Sequence, residues 1–593
     1  MKTMMHICYI YISSFGVLEN VGFALDHRYK FAIEDGCLHV SVNTDAIPNG
    51  FWGAGIYSLT AIVGNNGCGK TTALRLMKRL FVDGAPRNED TQFLIVYEDR
   101  GSLYLYNPLR MAVTFGQDIR LTEIQQRRPI ETLYYSGHFQ PYSGDDDMEL
   151  AGSYEASDGW LLVHDLQDYA NVDSLHLSEP LYNHLLAYYA QNNYRICEVL
   201  SLEGLRGLLH SVRLPRYVQF GPNRGGWNSI KLDRIGRFEG LDVPNERPTS
   251  ANLKQQALER LVYYDILNLI AEGKGEPQEL CDFLKTWQAT PKDDGVVMSL
   301  EHRIVYGENA SEAMKALASL HYVIQKIEEL CEFDDNSRTF YVDVMHEDNK
   351  LRTLINEMIR TPYFLTARFF DISYNHNLAG TSRLSSGEQE LLNLLSRLYY
   401  GITIKPQKFH NIESPRLLLL DEAEIGFHPD WQRQYVKVLT EFMNYMRVKA
   451  GVDFQIVITS HSPIILSDMP KDCAIMLKRN EETGLAENVS ESRQQTFGAN
   501  VFELYRDSFF LDGGMVGEFA AHYIEVLNED VDRIVNREDP PNERELESLK
   551  RRIGLIGDRV VRDYLMVKLG AKDRNGLREY YRLALEALDH EQN

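Results

Sequence analysis

The run Gly64-Asn65-Asn66-Gly67-Cys68-Gly69-Lys70-Thr71, continued by Thr72, has the residue types and spacing of a cradle for nucleotide phosphates. Its glycines let successive backbone N–H groups turn inward around a β-phosphate, where side chains would obstruct them. The helical pattern that follows points its positive end at the same oxygens. Lys70 is spaced to bridge the β- and γ-phosphates, and the Thr71 hydroxyl to ligate Mg²⁺. Far downstream, Leu417-Leu418-Leu419-Leu420 run into Asp421-Glu422. A strand buried on both faces would hold Asp421 at a fixed height beside the phosphates as a second magnesium contact. Glu422 is the candidate general base for the attacking water. An Asp-Glu pair opening a surface loop is common, but four leucines before it and a phosphate loop in the same chain favour the catalytic reading.

A further segment, Leu384-Ser385-Ser386-Gly387-Glu388-Gln389, carries its own physics. Ser385 and Glu388 stand at capping-box spacing, so a helix is expected to start there. Leu391, Leu394, Leu395 and Leu398 then line one apolar face. Backbone N–H groups at Gly387 and the Ser386 hydroxyl can bind a γ-phosphate, with Gln389 closing the segment. An ordinary capped core helix would share the cap and the stripe, though not the residue identities and their order. His461, in Ser460-His461-Ser462-Pro463 after the apolar run Phe454 to Thr459, is placed as a switch histidine that senses the γ-phosphate. Gln140, beyond the run Thr132 to Tyr135, reads equally as a magnesium-contacting loop glutamine and as an ordinary polar residue.

The elements that must position these groups follow from length and pattern. The 593 residues call for two to four folding units, and 44% hydrophobic with 25% charged residues supplies a core. The net charge, 62 − 85 = −23, argues against indiscriminate coating of nucleic acid. Seven cysteines, odd in number and never spaced Cys-x-x-Cys, fit a reducing cytoplasm better than disulfides or a zinc site. The apolar start, Ile7 to Leu18, lacks a basic lead-in and reads as a first strand, and no run is long enough to span a bilayer. Residues 1–150 are strand-rich, with a hairpin expected where Phe93–Tyr97 and Leu103–Tyr106 flank Glu98 to Ser102. The acidic loop Gly144 to Asp147 opens a mainly helical insertion, 151–363. Its clearest helices, Leu253–Ile270 and Ala313–Leu330, lack the sustained heptads of a coiled-coil arm. The α/β pattern returns over 364–500, and 501–593 is expected to be helical.

Phosphate loop, LSSGEQ, LLLLDE and TSHSP, in that order, resemble the ABC-type ATPases related to RecF, OLD and SMC proteins. Asp421 to Pro429 is similar to that family's DEPExxxHP segment, with Ala423 where proline is frequent. The resemblance implies an α/β fold: an ABC-type head of mixed and parallel sheet with an antiparallel β subdomain, split by the insertion. It implies ATP and Mg²⁺ as cofactors, and a homodimer or higher oligomer in which Ser386 and Gly387 act in trans on a partner's nucleotide. Glu424 to His428 would then line the dimer seam.

The segments Thr496 to Asn500, Asp507 to Leu511 and Ile553 to Asp558 resemble the endings of ATPases of bacterial anti-phage systems, the PtuA ATPases of Septu and of some retrons. That implies an ATPase regulating an effector: an HNH nuclease of the PtuB kind, with a retron reverse transcriptase and its multicopy single-stranded DNA in the retron setting. No nuclease centre is expected in this chain. Asp530-Val531-Asp532 lies in a polar helical stretch, and Asn375-His376-Asn377 lacks the companions of an HNH site. The stretch Arg206, Arg213, Arg216, Arg224, Lys231, Arg234 and Arg237, interleaved with Tyr217, Phe220 and Trp227, could track a single strand. A solvated face with a few buried aromatics is the better reading in so acidic a chain. The alternative function is a DNA-repair or DNA-end-sensing ATPase; a transporter subunit is disfavoured by the insertion, the tail and His428-Pro429.

Overall fold

Short, continuous apolar runs become adjacent strands because only a sheet covered on both faces buries every residue of such a run. A computed structural model describes residues 5–81, 92–138, 153–162, 165, 181–209, 212–222, 240–272, 275–307, 309–345, 349–361, 370–379, 382–403, 415–492, 494–508 and 516–591. Every residue of Arg416–Asp421 and of Phe454–Ser460 is buried. These two strands lie in a parallel block ordered Ser153–Glu155, Thr132–Ser136, Arg416–Asp421, Phe454–Ser460, Ile56–Gly64, Ala474–Arg479. The fold is α/β, as the sequence predicts.

The same twelve-stranded sheet continues through Ala486–Asn488, Leu18–Ala24, His6–Phe15, Gln92–Asp99, Ser102–Tyr106 and Leu121–Ile124. The apolar start of the chain is thus a strand, and Gln92–Asp99 and Ser102–Tyr106 pair antiparallel as the expected hairpin. A smaller sheet of Tyr29–Glu34, Cys37–Val42 and Ala112–Phe115 shares a core with the sheet's far end, through Leu38 and Val40 against Tyr9, Leu94 and Val96.

Alternation decides which helix meets which face. Leu417 and Leu419 enter one core with Ala73, Leu74 and Met77 of the helix Lys70–Leu80. Leu418 and Leu420 enter the other with Leu391, Leu394 and Leu398 of Ser386–Thr403 and with Phe442 and Met443 of Pro429–Ala450. The insertion contributes helices Leu181–Leu200, Leu253–Glu272 and Glu312–Leu330 to that second core. It also carries an antiparallel sheet, Glu332–Asp334, Thr339–Asp343, Tyr217–Pro222 and Phe370–Asn375. Glu332–Asp334 is too short to announce itself by alternation, and Phe370–Asn375 lies past the boundary read at 363.

The chain divides into two compact units, Met1–Phe510 and Leu511–Asn593. The second has its own core, Leu527, Val531, Leu549, Ile553, Leu565 and Leu569, inside helices Glu518–Asn536, Glu543–Gly554, Arg559–Leu569 and Arg574–Glu591. Asn542 and Glu545 form a reciprocal capping box at the start of its second helix. No helix of the described residues is long and apolar enough to cross a membrane.

The helix Ser386–Thr403 is fastened to the insertion by a buried cation. Arg397, fully buried, donates to Asp158 and, at 2.8 Å, to the Tyr188 hydroxyl, while Asn192 donates to Asn393 at 3.0 Å. Removing Arg397 leaves Asp158 without its ion-pair partner. Arg397→Ala is expected to destabilise the first unit by about 2–4 kcal/mol, well beyond Arg433→Ala on an exposed pair. Comparative thermal unfolding of the two variants checks this, and equal losses would contradict it.

Candidate functional site

Parallel register brings the carboxyl ends of neighbouring strands to one height, where α/β sheets place their ligands. Ser136 pairs with Asp421, Asp421 with Thr459, and Ser460 with Val63. The loops leaving these ends therefore meet: Gly137-His138, Glu422, His461 and the phosphate loop. In that loop Gly67 and Gly69 take left-handed φ values of 74 and 91°, which aim backbone N–H groups into the concavity. Asn66 and Gly67 are exposed at its rim. Arg479 ends the next strand beside it, its Nη1 3.6 Å from where a Cβ on Gly67 would sit.

Asp421 is wholly buried and accepts three hydroxyl bonds, from Thr459 at 2.6 Å, Tyr134 at 3.0 Å and Thr71 at 3.2 Å. A carboxylate and the Thr71 hydroxyl within 3.2 Å form an all-oxygen pair of the kind Mg²⁺ prefers, so the residues fit that ion. Glu422 sits at φ 47°, a conformation that costs a non-glycine residue about 1–2 kcal/mol. Its N–H donates to Thr459 Oγ1 at 3.0 Å, which helps hold the turn. Its carboxylate lies 2.9 Å from His461 Nε2, 2.7 Å from His138 Nε2 and 4.0 Å from Lys70 Nζ. Burial pushes this carboxyl up, but the His461 and His138 bonds and the Lys70 charge outweigh it, bringing it down to about 2.

Lys70 is buried, donates to the carbonyls of Gly64 at 3.0 Å and Asn65 at 3.2 Å, and lies 2.7 Å from His461 Nε2. Burial pulls its ammonium below the usual value, against the nearby carboxylates. Glu424 shares the burial of Glu422 but has different partners. It is buried and accepts from the Ser460 hydroxyl, and burial pushes it up to about 7, with the Ser460 bond holding it back in part.

The helix expected at Ser385 is present. Ser385 N–H donates to Glu388 at 2.7 Å, and Glu388 N–H returns to Ser385 Oγ at 3.3 Å. Ser385 and Ser386 are exposed, whereas Gly387 is buried against Trp431, whose Cδ1 would lie 3.1 Å from an added Cβ. Gln389 points away from the helix start, toward Asn393 at 3.3 Å. No hydrogen bond joins Ser386 or Gly387 to the phosphate loop among the described residues.

The structure therefore gathers Lys70, Thr71, Asp421, Glu422 and His461, with Gly64 to Thr72 around them, and leaves Ser386, Gly387 and Gln389 on a separate helix. Gln140 and residues 224–237 of the basic stretch lie outside the described residues. Three residues were not singled out from sequence: Tyr134, Thr459 and His138. Each lies in, or just after, a strand neighbouring that of Asp421, so strand order, which sequence does not supply, is what brings them in. Glu424, expected on a seam, points inward in its own chain. Asp530 and Asp532 pair with Arg552 and Lys568, and His376 lies 3.3 Å from Glu388. Among the described residues one His/Cys/Asp/Glu group could hold a metal, His6, Cys8 and Asp26. Arg28 already fills that place, 2.6 Å from Asp26 and 3.0 Å from Glu98.

Comparisons with known proteins agree with an ATPase-like domain. Residues 334–467, well under half the chain, match the family described as "AAA domain, putative AbiEii toxin, Type IV TA system". Protein ea59 of Escherichia phage lambda is 27% identical over 199 residues, 34% of this chain and 32% of that protein. The Retron Ec83 probable ATPase of Escherichia coli is 23% identical over 123 residues, 21% of each chain. The matches thus span about a third and a fifth of those relatives. Two structures of the recombination mediator protein RecF in the RecFOR pathway overlap 82% of this chain at 12% identity, with TM-scores of 0.22 and 0.21.

The two glutamates make opposite contributions to stability. Glu424 titrates near 7 when folded against an ordinary 4.5, so between those values the folded chain keeps a proton that the unfolded chain has released. Its stabilisation is full below 4.5 and lost as pH rises through 7; that of Glu422 is present above 4.5 and lost as pH falls toward 2. Glu424→Gln is expected to raise stability at pH 8, by on the order of 2–3 kcal/mol, and to flatten the decline above pH 4.5. Thermal midpoints measured from pH 4.5 to 8 would count against this if parent and variant declined in parallel.

Proposed function

We propose that this chain is a Mg²⁺-dependent ATPase of the ABC type, closing as a homodimer over ATP and controlling an effector nuclease in anti-phage defence. The observation that carries the ATPase reading is the convergence of Lys70, Thr71, Asp421, Glu422 and His461 at the ends of adjacent parallel strands. The loop N–H groups and Lys70 hold the β- and γ-phosphates; Thr71 and Asp421 hold the magnesium ion. When bound, that ion neutralises charge on the phosphate oxygens. Glu422, ionised at neutral pH, accepts a proton from water as the water oxygen bonds to the γ-phosphorus and the bridging oxygen leaves with ADP. His461, now between Lys70 and Glu422, is positioned to bond the γ-phosphate.

The exposed helix start at Ser386 supplies N–H groups and a hydroxyl for a second copy's nucleotide. Similarity to the Retron Ec83 probable ATPase supports a retron-linked setting. There the partners are an HNH nuclease of the PtuB kind, a reverse transcriptase and its single-stranded DNA, and nucleotide state restrains or releases the nuclease. Nothing in the reading needs a membrane, and it places the protein in the cytoplasm.

Lys70→Ala is expected to abolish ATP binding, whereas Glu422→Gln binds ATP but turns it over at least about a hundredfold more slowly. Equilibrium binding and phosphate release separate the two, and undiminished affinity in Lys70→Ala would remove the site assignment. Light scattering of Glu422→Gln with ATP is expected to report a dimer that Ser386→Arg abolishes. Salt-dependent DNA binding by the isolated chain would instead favour the DNA-repair reading.

A further inference from the structure

We infer that His138 is a positioning residue for Glu422, the fixed hand that keeps the base aimed while the other groups around it serve the phosphates. This rests on the ATPase reading above and adds to it a residue that neither motif nor comparison assigns.

Three observations carry it. First, each oxygen of the Glu422 carboxylate has its own imidazole: Oε1 lies 2.9 Å from His461 Nε2, and Oε2 lies 2.7 Å from His138 Nε2. Second, the two histidines are not equivalent. His461 is shared with Lys70, 2.7 Å away, and Lys70 closes on the Gly64 and Asn65 carbonyls of the phosphate loop. His138 bonds through its ring to Glu422 alone among the described residues. A triphosphate therefore competes for His461 and Lys70 but leaves His138 where it is.

Third, the backbone under His138 is locked to the strand that carries the base. Gly137 N–H donates to the Asp421 carbonyl at 2.9 Å, and His138 N–H donates to Ser136 Oγ at 3.2 Å. A Cβ on Gly137 would lie 2.3 Å from the Glu422 carbonyl oxygen, so only glycine lets the two segments pass this closely. The His138 side chain is thus delivered to Glu422 by bonds from the Gly137 and His138 N–H groups, neither of which uses a group of the phosphate loop. With Oε2 held, Oε1 is free for water once His461 turns to phosphate, and a general base works only when its lone pair is aimed within hydrogen-bond reach.

The test is a kinetic split on the full chain. His138→Ala is expected to lower kcat for ATP about tenfold to a hundredfold, with KM and equilibrium ATP affinity within about twofold of the parent. His138→Asn, which keeps a donor, is expected to recover part of the loss. His138→Ala should add nothing in a Glu422→Gln background. Without nucleotide, ¹⁵N resonances of the His138 ring should report a bonded Nε2 in the parent and a released one in Glu422→Ala. Undiminished kcat in His138→Ala, a loss confined to KM, or an imidazole signal indifferent to Glu422→Ala would each overturn the inference while leaving the ATPase reading in place. A parent chain that binds no ATP overturns the reading itself, and this inference with it.

Discussion

The register between four parallel strands is the constraint on which the site depends. Asp421 stands opposite Ser136 on one side and Thr459 on the other, and the next strand offers Val63 opposite Ser460, so the loops that follow leave the sheet at one level. A slip of one residue would send Leu417 and Leu419 to the wrong core and turn Asp421 out of its three-hydroxyl pocket. The hydrophobic effect enforces the register, because each leucine is fully buried on its own side. The chemistry is positioned by residues that take no part in it.

Held at that height, the acidic groups separate by environment. Asp421 and Glu422 face donors and cations, while Glu424 turns back into the chain toward Ser460, so carboxylates two residues apart lie near 2 and near 7. A left-handed residue at Glu422 turns the chain directly after the strand, and the two glutamates then face different partners, His138 and His461 for one and Ser460 for the other. Between pH 2 and pH 7 a charged carboxylate and a protonated one then coexist in one turn, each stabilised by its own neighbours.

What the sequence made legible was local. The phosphate loop, the leucine strand ending in Asp421-Glu422, the Ser385–Glu388 capping box and the hairpin after Glu98 are each fixed by contacts within a few residues, and the structure has each of them. What remained unread was set by strand order and tertiary packing. Tyr134 lies 287 positions from the carboxylate it bonds, and His138 lies 284 from Glu422. Nothing in the spacing of either chain segment reports that they are neighbours. The small antiparallel sheet escaped for a related reason: Glu332–Asp334 is three residues long, and the central strand Tyr217–Pro222 pairs with Thr339–Asp343 on one side of the expected boundary and with Phe370–Asn375 on the other.

The helix that begins at the exposed Ser386 end is bound to its own unit by packing and by a buried cation. Leu391, Leu394 and Leu398 seat it in the second core, and Gly387 packs against Trp431. Its opposite polar side is tied through Asn393 and Arg397 to Asn192, Tyr188 and Asp158 of the insertion. A guanidinium with no exposure cannot release its partners without a large desolvation cost, so the helix and the insertion helix Leu181–Leu200 must move together.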